Sequence, residues 1–244
     1  MEVQLHELTP VLSAAEQEAA QRQQQQRQQR QLAMSDTRRA LVLDAARSVF
    51  AENGVEGASI REIARRAGYT PGAIYSYFES KEAIYAALLA ESLERLNAEV
   101  ASARHFKLQP QLTLAAKAQA WFGFYARSPR DLDLCFYLIQ GLAPRGFEGE
   151  LNQHLNGRLQ EALRPCEVAL QAMGLSPESA LRENTALFAH GVGLLLLLHT
   201  GRIRLFGQSV EPLFTGYVEQ LVERLNPGAL AAPRGLDQPD LFGF

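Results

Sequence analysis

Cysteine is nearly missing from this 244-residue chain, with only Cys135 and Cys166 present. Two isolated cysteines exclude a disulfide framework and a thiolate zinc site. Long hydrophobic runs are missing too: the longest, Ala186 to Leu198, falls short of a membrane span and is broken by His190, Gly191 and Gly193. The N-terminus is acidic and glutamine-rich and carries no apolar signal-peptide core, so a cytoplasmic protein with no membrane partner is the expectation. The five histidines form no His-x-x-x-His or Glu-x-x-His pair, and His190 and His199 stand nine apart on different turns, so no metal site is expected. No serine or cysteine stands in a recognisable nucleophile setting, and neither an enzyme nor a cofactor is expected. Alternating β-branched strand patterns are nearly absent from Thr37 to Arg224. The chain reads as all-α.

What is present is ordinary globular composition, 47% hydrophobic and 21% charged, with a net charge of −3. That charge is unevenly spread. Residues 1–36 hold three arginines against five acids, and residues 82–244 hold 14 basic against 17 acidic groups. Between them, residues 37–81 hold seven basic groups against five acids and form the single net-positive block, a weak sign of a polyanion contact.

The sequence divides into four parts. Residues 1–36 contain the run QRQQQQRQQRQ, Gln21–Gln31, which favours helix by composition but has no apolar stripe with which to pack. It reads as a disordered tail, or alternatively as a flexible arm whose three arginines reach DNA phosphates; Met34, opening Met-Ser-Asp-Thr before a helix, is a plausible second start. Residues 37–83 and 84–226 are the two helical regions. Residues 227–244, with three prolines and three glycines, read as a loose tail.

Capping signals make residues 37–83 legible. Val42, Ala46, Val49 and Phe50 fall on one face of a first helix, and Asn53-Gly54 supplies a left-handed stop. Ser59 and Glu62 have capping-box spacing at the start of a second helix, whose stripe is Ile60, Ile63, Ala64 and Ala67. Gly68 ends it. Thr70 and Pro71 open a third helix as N-cap and N1 proline, and Ser80-Lys81 opens a fourth. Two helices joined by a short glycine-bearing turn form a helix-turn-helix, in which the second enters the DNA major groove by its N-terminal end. That helix would present Thr70, Gly72, Ala73, Tyr75 and Ser76 outward and turn Ile74 and Phe78 to the core. Small residues permit close approach to base edges, while Thr70, Tyr75 and Tyr77 can bond phosphates. Arg65 and Arg66 read as a solvated helix face before they read as DNA ligands.

The run Ser59–Lys81, SIREIARRAGYTPGAIYSYFESK, resembles the DNA-binding signature of the TetR family of transcriptional regulators, through Ile63, Ala64, Ala67, Gly68, Gly72, Ile74, Tyr75, Phe78 and Lys81. Ala46, Phe50 and Gly54 extend the likeness to about 50 residues. The resemblance implies that Ser59 and Arg61 meet DNA at the start of the second helix, that Thr70, Pro71, Gly72, Ala73 and Tyr75 face the groove, that Tyr77 contacts the backbone and that Lys81 holds a phosphate. It implies a homodimer on a palindromic operator and a small-molecule effector bound by the C-terminal helices.

In residues 84–226, Trp121, Phe122, Phe124 and Tyr125 cluster on one helix that stops at Ser128-Pro129, and Cys135, Phe136, Tyr137 and Ile139 begin the next. Trp121, Phe124, Tyr125, Phe136 and His190 are the candidate lining of an apolar or aromatic effector pocket; each fits a plain core role as well. Leu187–His199 is apolar nearly all round and reads as buried on every side. Val210–Leu225 forms a last helix with Leu213, Tyr217, Leu221 and Leu225 near a spacing of four, and these two helices resemble the family's dimer bundle. Gly191 and Gly193 each cost about 1 kcal/mol of helix propensity unless close approach compensates. The expected protein is a homodimeric repressor released from its operator by a small apolar or aromatic ligand. The rivals are an activator, a regulator without a ligand, and an interaction protein with a degenerate DNA-binding domain.

Overall fold

The structure, a computed structural model, describes residues 14–139 and 150–226. Every regular element among them is helical. The expected C-terminal tail at 227–244 and the first 13 residues lie outside the described residues. Two compact units divide at Lys81.

The first unit opens with α1, Ala14–Gly57. Val42, Ala46 and Val49 are fully buried on one face, with Leu43 and Phe50 beside them. The expected stop is real: Gly54 takes φ 66°, ψ 176° and breaks the helix just after Asn53. The glutamine-rich run differs from the expected disordered tail. It continues α1 back to Ala14 as helix, and residues 21–34 are exposed on all sides, as a segment without an apolar stripe must be.

Two short helices follow, α2, Ile60–Ala67, and α3, Pro71–Tyr75. The Ser59 hydroxyl accepts from the Glu62 N–H at 3.2 Å. The reciprocal half of the capping box is replaced, because both Glu62 carboxylate oxygens accept from Arg65 and one also from Arg66. Gly68 ends α2 in the left-handed conformation at φ 74°. Its N–H reaches the Arg65 carbonyl, and the Tyr69 N–H reaches that of Ala64 at 2.9 Å, closing a Schellman turn. Thr70 Oγ1 then accepts from Ala73 N–H at 3.3 Å, with Pro71 at N1. Ile63, Ala64, Ile74 and Phe78 are buried, so both short helices are held by one small core.

The second unit contains most of α4, Lys81–Ser102, then α5, Pro110–Arg127, α6, Pro129–Ile139, α7, Glu150–Ala172, α8, Pro177–His199, a 3-10 turn at Arg202–Phe206, and α9, Val210–Leu225. Its core is aromatic. Phe122 of α5 stacks on Phe214 of α9 with centroids 4.1 Å apart, and Trp121 meets Tyr125 edge-on at 5.8 Å. Gly191 of α8 lets Trp121 in: a Cβ there would lie 2.5 Å from the indole Cζ3. Close approach therefore does compensate this glycine, and it comes from inside the chain. Cys135 and Cys166 are free and buried, and burial pushes their thiols up to about 11 and about 12.

Two surfaces depart from expectation. α8 buries Leu187, Gly191, Leu194 and Leu195 and leaves Leu181, Ala189, Gly193 and Leu196 exposed, so within one chain it is covered on one face. α9 turns Val210, Phe214, Val218, Leu221 and Val222 inward. Of the stripe read from the sequence, Leu221 belongs to that face, while Leu213 is exposed and Tyr217 and Leu225 are half-buried.

Candidate nucleic-acid interface

The outer side of the first unit is arranged around α3. Thr70, Pro71, Gly72 and Tyr75 are exposed, and Ala73 and Tyr77 are half-buried. Tyr75 is 57% exposed. A Cβ added at Gly72 would find no heavy atom within 4 Å, so nothing inside the chain requires glycine there. Ile74 between them is fully buried and fixes which way the face points.

At the head of α2, Ser59 and Arg61 are exposed. Its other cations are engaged. Arg65 makes a two-point contact with Glu62 at 2.6 and 2.9 Å, and Arg66 makes one with Glu52 at 2.7 and 2.8 Å. These hydrogen bonds hold both carboxyls below the usual carboxylate range, with Arg66 acting on Glu52 and Arg65 on Glu62. The two arginines thus belong to a paired helix surface. Arg61 remains the cation on α2 without a partner among the described residues.

Lys81 is placed differently from the expected phosphate holder. Its half-buried ammonium donates to the Val55 carbonyl at 2.8 Å and the Ala58 carbonyl at 3.4 Å. It ties the first residue of α4 to the turn that follows α1. No local pattern announces this, because the partners lie 26 and 23 residues away.

In the second unit, the candidate pocket aromatics Trp121, Phe124 and Tyr125 are buried and packed on one another. The Trp121 Nε1 and Tyr125 hydroxyl have no hydrogen-bond partner among the described residues. Burial raises the Tyr125 phenol well above its ordinary value. His190 stacks on Tyr217 at 4.0 Å, and burial lowers its imidazole. The side chain of Phe136 lies outside the described residues.

A cavity of about 500 Å³ opens elsewhere in this unit, between the α4–α5 connection, the first half of α5 and α7. Phe106, Pro110, Pro165, Val168 and Ala169 give it an apolar wall, and His105, Lys107, Lys117 and Arg164 set four basic groups against one acid, Glu161. Buried Lys117 donates to the carbonyls of Val100, Ala101 and Ala103 at 2.7, 3.0 and 2.7 Å, capping the end of α4. Burial holds its ammonium below the ordinary lysine range. Sequence reading missed this cavity because its walls are about 50 residues apart in the chain.

Residues 42–88 match the profile of the bacterial regulatory proteins of the tetR family. The transcriptional activator FasR of Mycolicibacterium smegmatis is 33% identical over 101 residues, 41% of this chain and 46% of its own length. The chain spans less than half the length of the curated relatives it matches. A solved TetR-like regulator from Rhodococcus sp. RHA1 aligns at TM-score 0.56 and 19% identity over 80% of this chain and 97% of its own. FadR of Bacillus subtilis, solved in complex with stearoyl-CoA, aligns at 0.50 and 22% over 78% and 98%. These structures share the all-helical fold. The capped helix-turn-helix lies inside the segment that matches the tetR family of bacterial regulatory proteins, and the likeness to FasR extends over 101 residues.

Proposed function

We propose that this chain is a homodimeric transcriptional regulator of the cytoplasm that reads a palindromic DNA operator through α3 and answers to a small amphipathic ligand. The observation that carries the reading is the outer face of α3. It joins an exposed tyrosine to a glycine that the fold does not need, on a helix whose start is fixed by Thr70 and Pro71. A duplex groove accounts for both, since glycine admits the close approach of a base edge and the phenol bonds a phosphate. Thr70, Pro71, Gly72, Ala73 and Tyr75 face the groove in this reading, Ser59, Arg61 and Tyr77 meet the backbone, and Lys81 positions the unit. The uncovered face of α8, with Gly193 and Leu196, and the Leu213–Tyr217 edge of α9 supply an apolar surface for a second copy. Two-fold symmetry sets the half-sites about one DNA turn, or a multiple, apart.

The effector site of this reading is the open cavity, and the packed aromatic cluster of α5 serves as its neighbouring core. Basic groups around an apolar wall suit a molecule with a hydrocarbon body and an anionic end. The stearoyl-CoA held by the Bacillus protein is of that chemical kind. Lys117 links the cavity to the last turn of α4, whose first residue is Lys81, so α4 is the element through which a ligand acts. Release of DNA on ligand binding makes the protein a repressor. The opposite sign has support in FasR, which is an activator.

The test is binding of the purified protein to DNA flanking its own gene, against scrambled competitor and over a salt series, followed by titration with fatty acids. Selective binding that Tyr75→Ala abolishes supports the reading. Binding that ignores both sequence and Tyr75→Ala gives the interaction-protein reading its place.

A further inference from the structure

We propose that the N-terminal part of α1, up to Arg38, is a second DNA-contacting element, whose Arg27–Arg30–Arg38 face runs along the phosphates beside the groove entered by α3. This rests on the DNA-binding reading above and adds to it a surface outside the helix-turn-helix.

Residues 19–35 contain three arginines and no acid. At about 100° per residue, Arg27, Arg30 and Arg38 fall within an arc of about 80°, whereas Asp36 lies about 180° from Arg27. Arg27, Arg30 and Arg38 thus form a cationic face clear of Asp36, while Arg22 lies off it, about 140° from Arg27. The fold orients that face. Arg27, Arg30, Met34 and Arg38 line one open concavity of about 400 Å³ together with Tyr77, two residues past the end of α3. The arginine face and the exit of α3 are therefore parts of one continuous surface within the same unit.

The guanidinium groups of Arg27, Arg30 and Arg38 are exposed and have no acidic partner among the described residues. Arg39 is committed elsewhere, over the Phe78 ring at 5.0 Å. Apart from Leu32, Ala33 and Met34, residues 21–38 are polar and have no apolar stripe with which to pack on their own protein, and the row of guanidinium groups suits an anionic occupant. The span from Arg27 to Arg38 is about 16 Å along the axis, enough to follow several successive phosphates on one strand. Glutamines between the arginines add neutral hydrogen-bond donors to the same backbone. The segment elongates a helix already nucleated by the buried Val42–Phe50 face and needs no nucleus of its own.

The experiment measures operator affinity against salt for the full chain, for Arg27→Gln/Arg30→Gln/Arg38→Gln, and for Tyr75→Ala. Glutamine keeps helix propensity, and equal helicity by circular dichroism checks the fold. Each lost phosphate contact lowers the slope of log K against log salt by about 0.9, so the triple variant is expected to lose about 2 to 3 from it. Its affinity should fall at least tenfold while its preference for operator over scrambled DNA is kept. An unchanged slope, with Tyr75→Ala abolishing binding, overturns the arm and leaves the reading intact. A slope lost in the triple variant of a protein with no sequence preference upholds the arm and overturns operator reading. Loss of binding to an acidic polypeptide, with the DNA slope unchanged, overturns the arm in favour of an acidic protein partner.

Discussion

The Lys81 ammonium donates to the Val55 carbonyl at 2.8 Å, joining the first residue of α4 to the turn that closes α1. A second bond to the Ala58 carbonyl makes this lysine a strut beneath the helix-turn-helix. Charged hydrogen bonds of this type contribute about 1.5–3 kcal/mol each, less where water competes. Lys81→Met is therefore expected to lower the stability of the first unit by about 1–2 kcal/mol, measured by urea unfolding. The salt slope of operator binding should hardly change, because this charge is directed into the protein. A slope reduced by about 0.9 with unchanged stability would return Lys81 to the role of phosphate holder.

Gly72→Ala separates fold from function on α3. With nothing within 4 Å of the new methyl, the variant should unfold at the same denaturant concentration as the parent or slightly higher. In the proposed DNA-bound reading the methyl occupies space the groove needs, so operator affinity should fall at least tenfold. Equal operator affinity in a fluorescence anisotropy titration would remove Gly72 from the interface.

The two glycines of α8 should respond oppositely. Gly191→Ala drives a methyl into Trp121 and toward Phe214, and overpacking of this kind costs about 1–3 kcal/mol. Gly193 is exposed with free space around it, so Gly193→Ala should leave the folded chain as stable or raise it by up to about 1 kcal/mol. At about 2–4 °C per kcal/mol for a chain of this size, thermal scans resolve the difference. Sedimentation of the Gly193 variant also reads whether this face meets a second copy.

These contrasts show which features the sequence carried. Caps and stops are local: Ser59, Gly68, Thr70 and Pro71 announce their roles within four residues, and each is found as read. Faces of long helices are less legible, because a spacing of four drifts around the helix. Leu213, Tyr217 and Leu225 thus share a stripe with Leu221 in the sequence but sit at the edge of the buried face. Competition is illegible as well: Glu62 could reach back to its cap, but neighbouring guanidinium groups hold it. The cavity and the Lys81 strut depend on residues far apart in the chain, which no window of residues displays.

Acid should loosen the second unit through Asp131. Burial alone would raise this carboxyl, but hydrogen bonds from Arg95 and Ser128 outweigh it and hold it below the usual range. Arg95 contributes a two-point contact at 2.5 and 3.1 Å. A carboxyl depressed on folding stabilises fully above its unfolded value of about 3.9, and that stability is lost as pH falls through the lower folded value. Asp131→Asn should therefore be less stable than the parent at neutral pH, and the gap should close on acidification below about pH 4. A gap independent of pH would mean that the side chain matters by shape alone.

The cavity beside Lys117 yields a prediction about ligand length and charge. Its apolar wall should reward hydrocarbon at about 0.8 kcal/mol per buried CH₂, so affinity for straight-chain fatty acids should rise up to about fourfold per carbon until the space is filled. Its cations should reward the carboxylate, so the methyl ester of the best acid should bind at least tenfold more weakly. Arg164→Glu places an acid where the wall carries a cation, and should weaken the acid much more than the ester. Calorimetric titration of both ligands against both proteins forms a closed cycle. A coupling near zero would show that Arg164 does not sense the anionic end. A coupling with no dependence on chain length would place the anion at the mouth of the cavity, with its hydrocarbon in water.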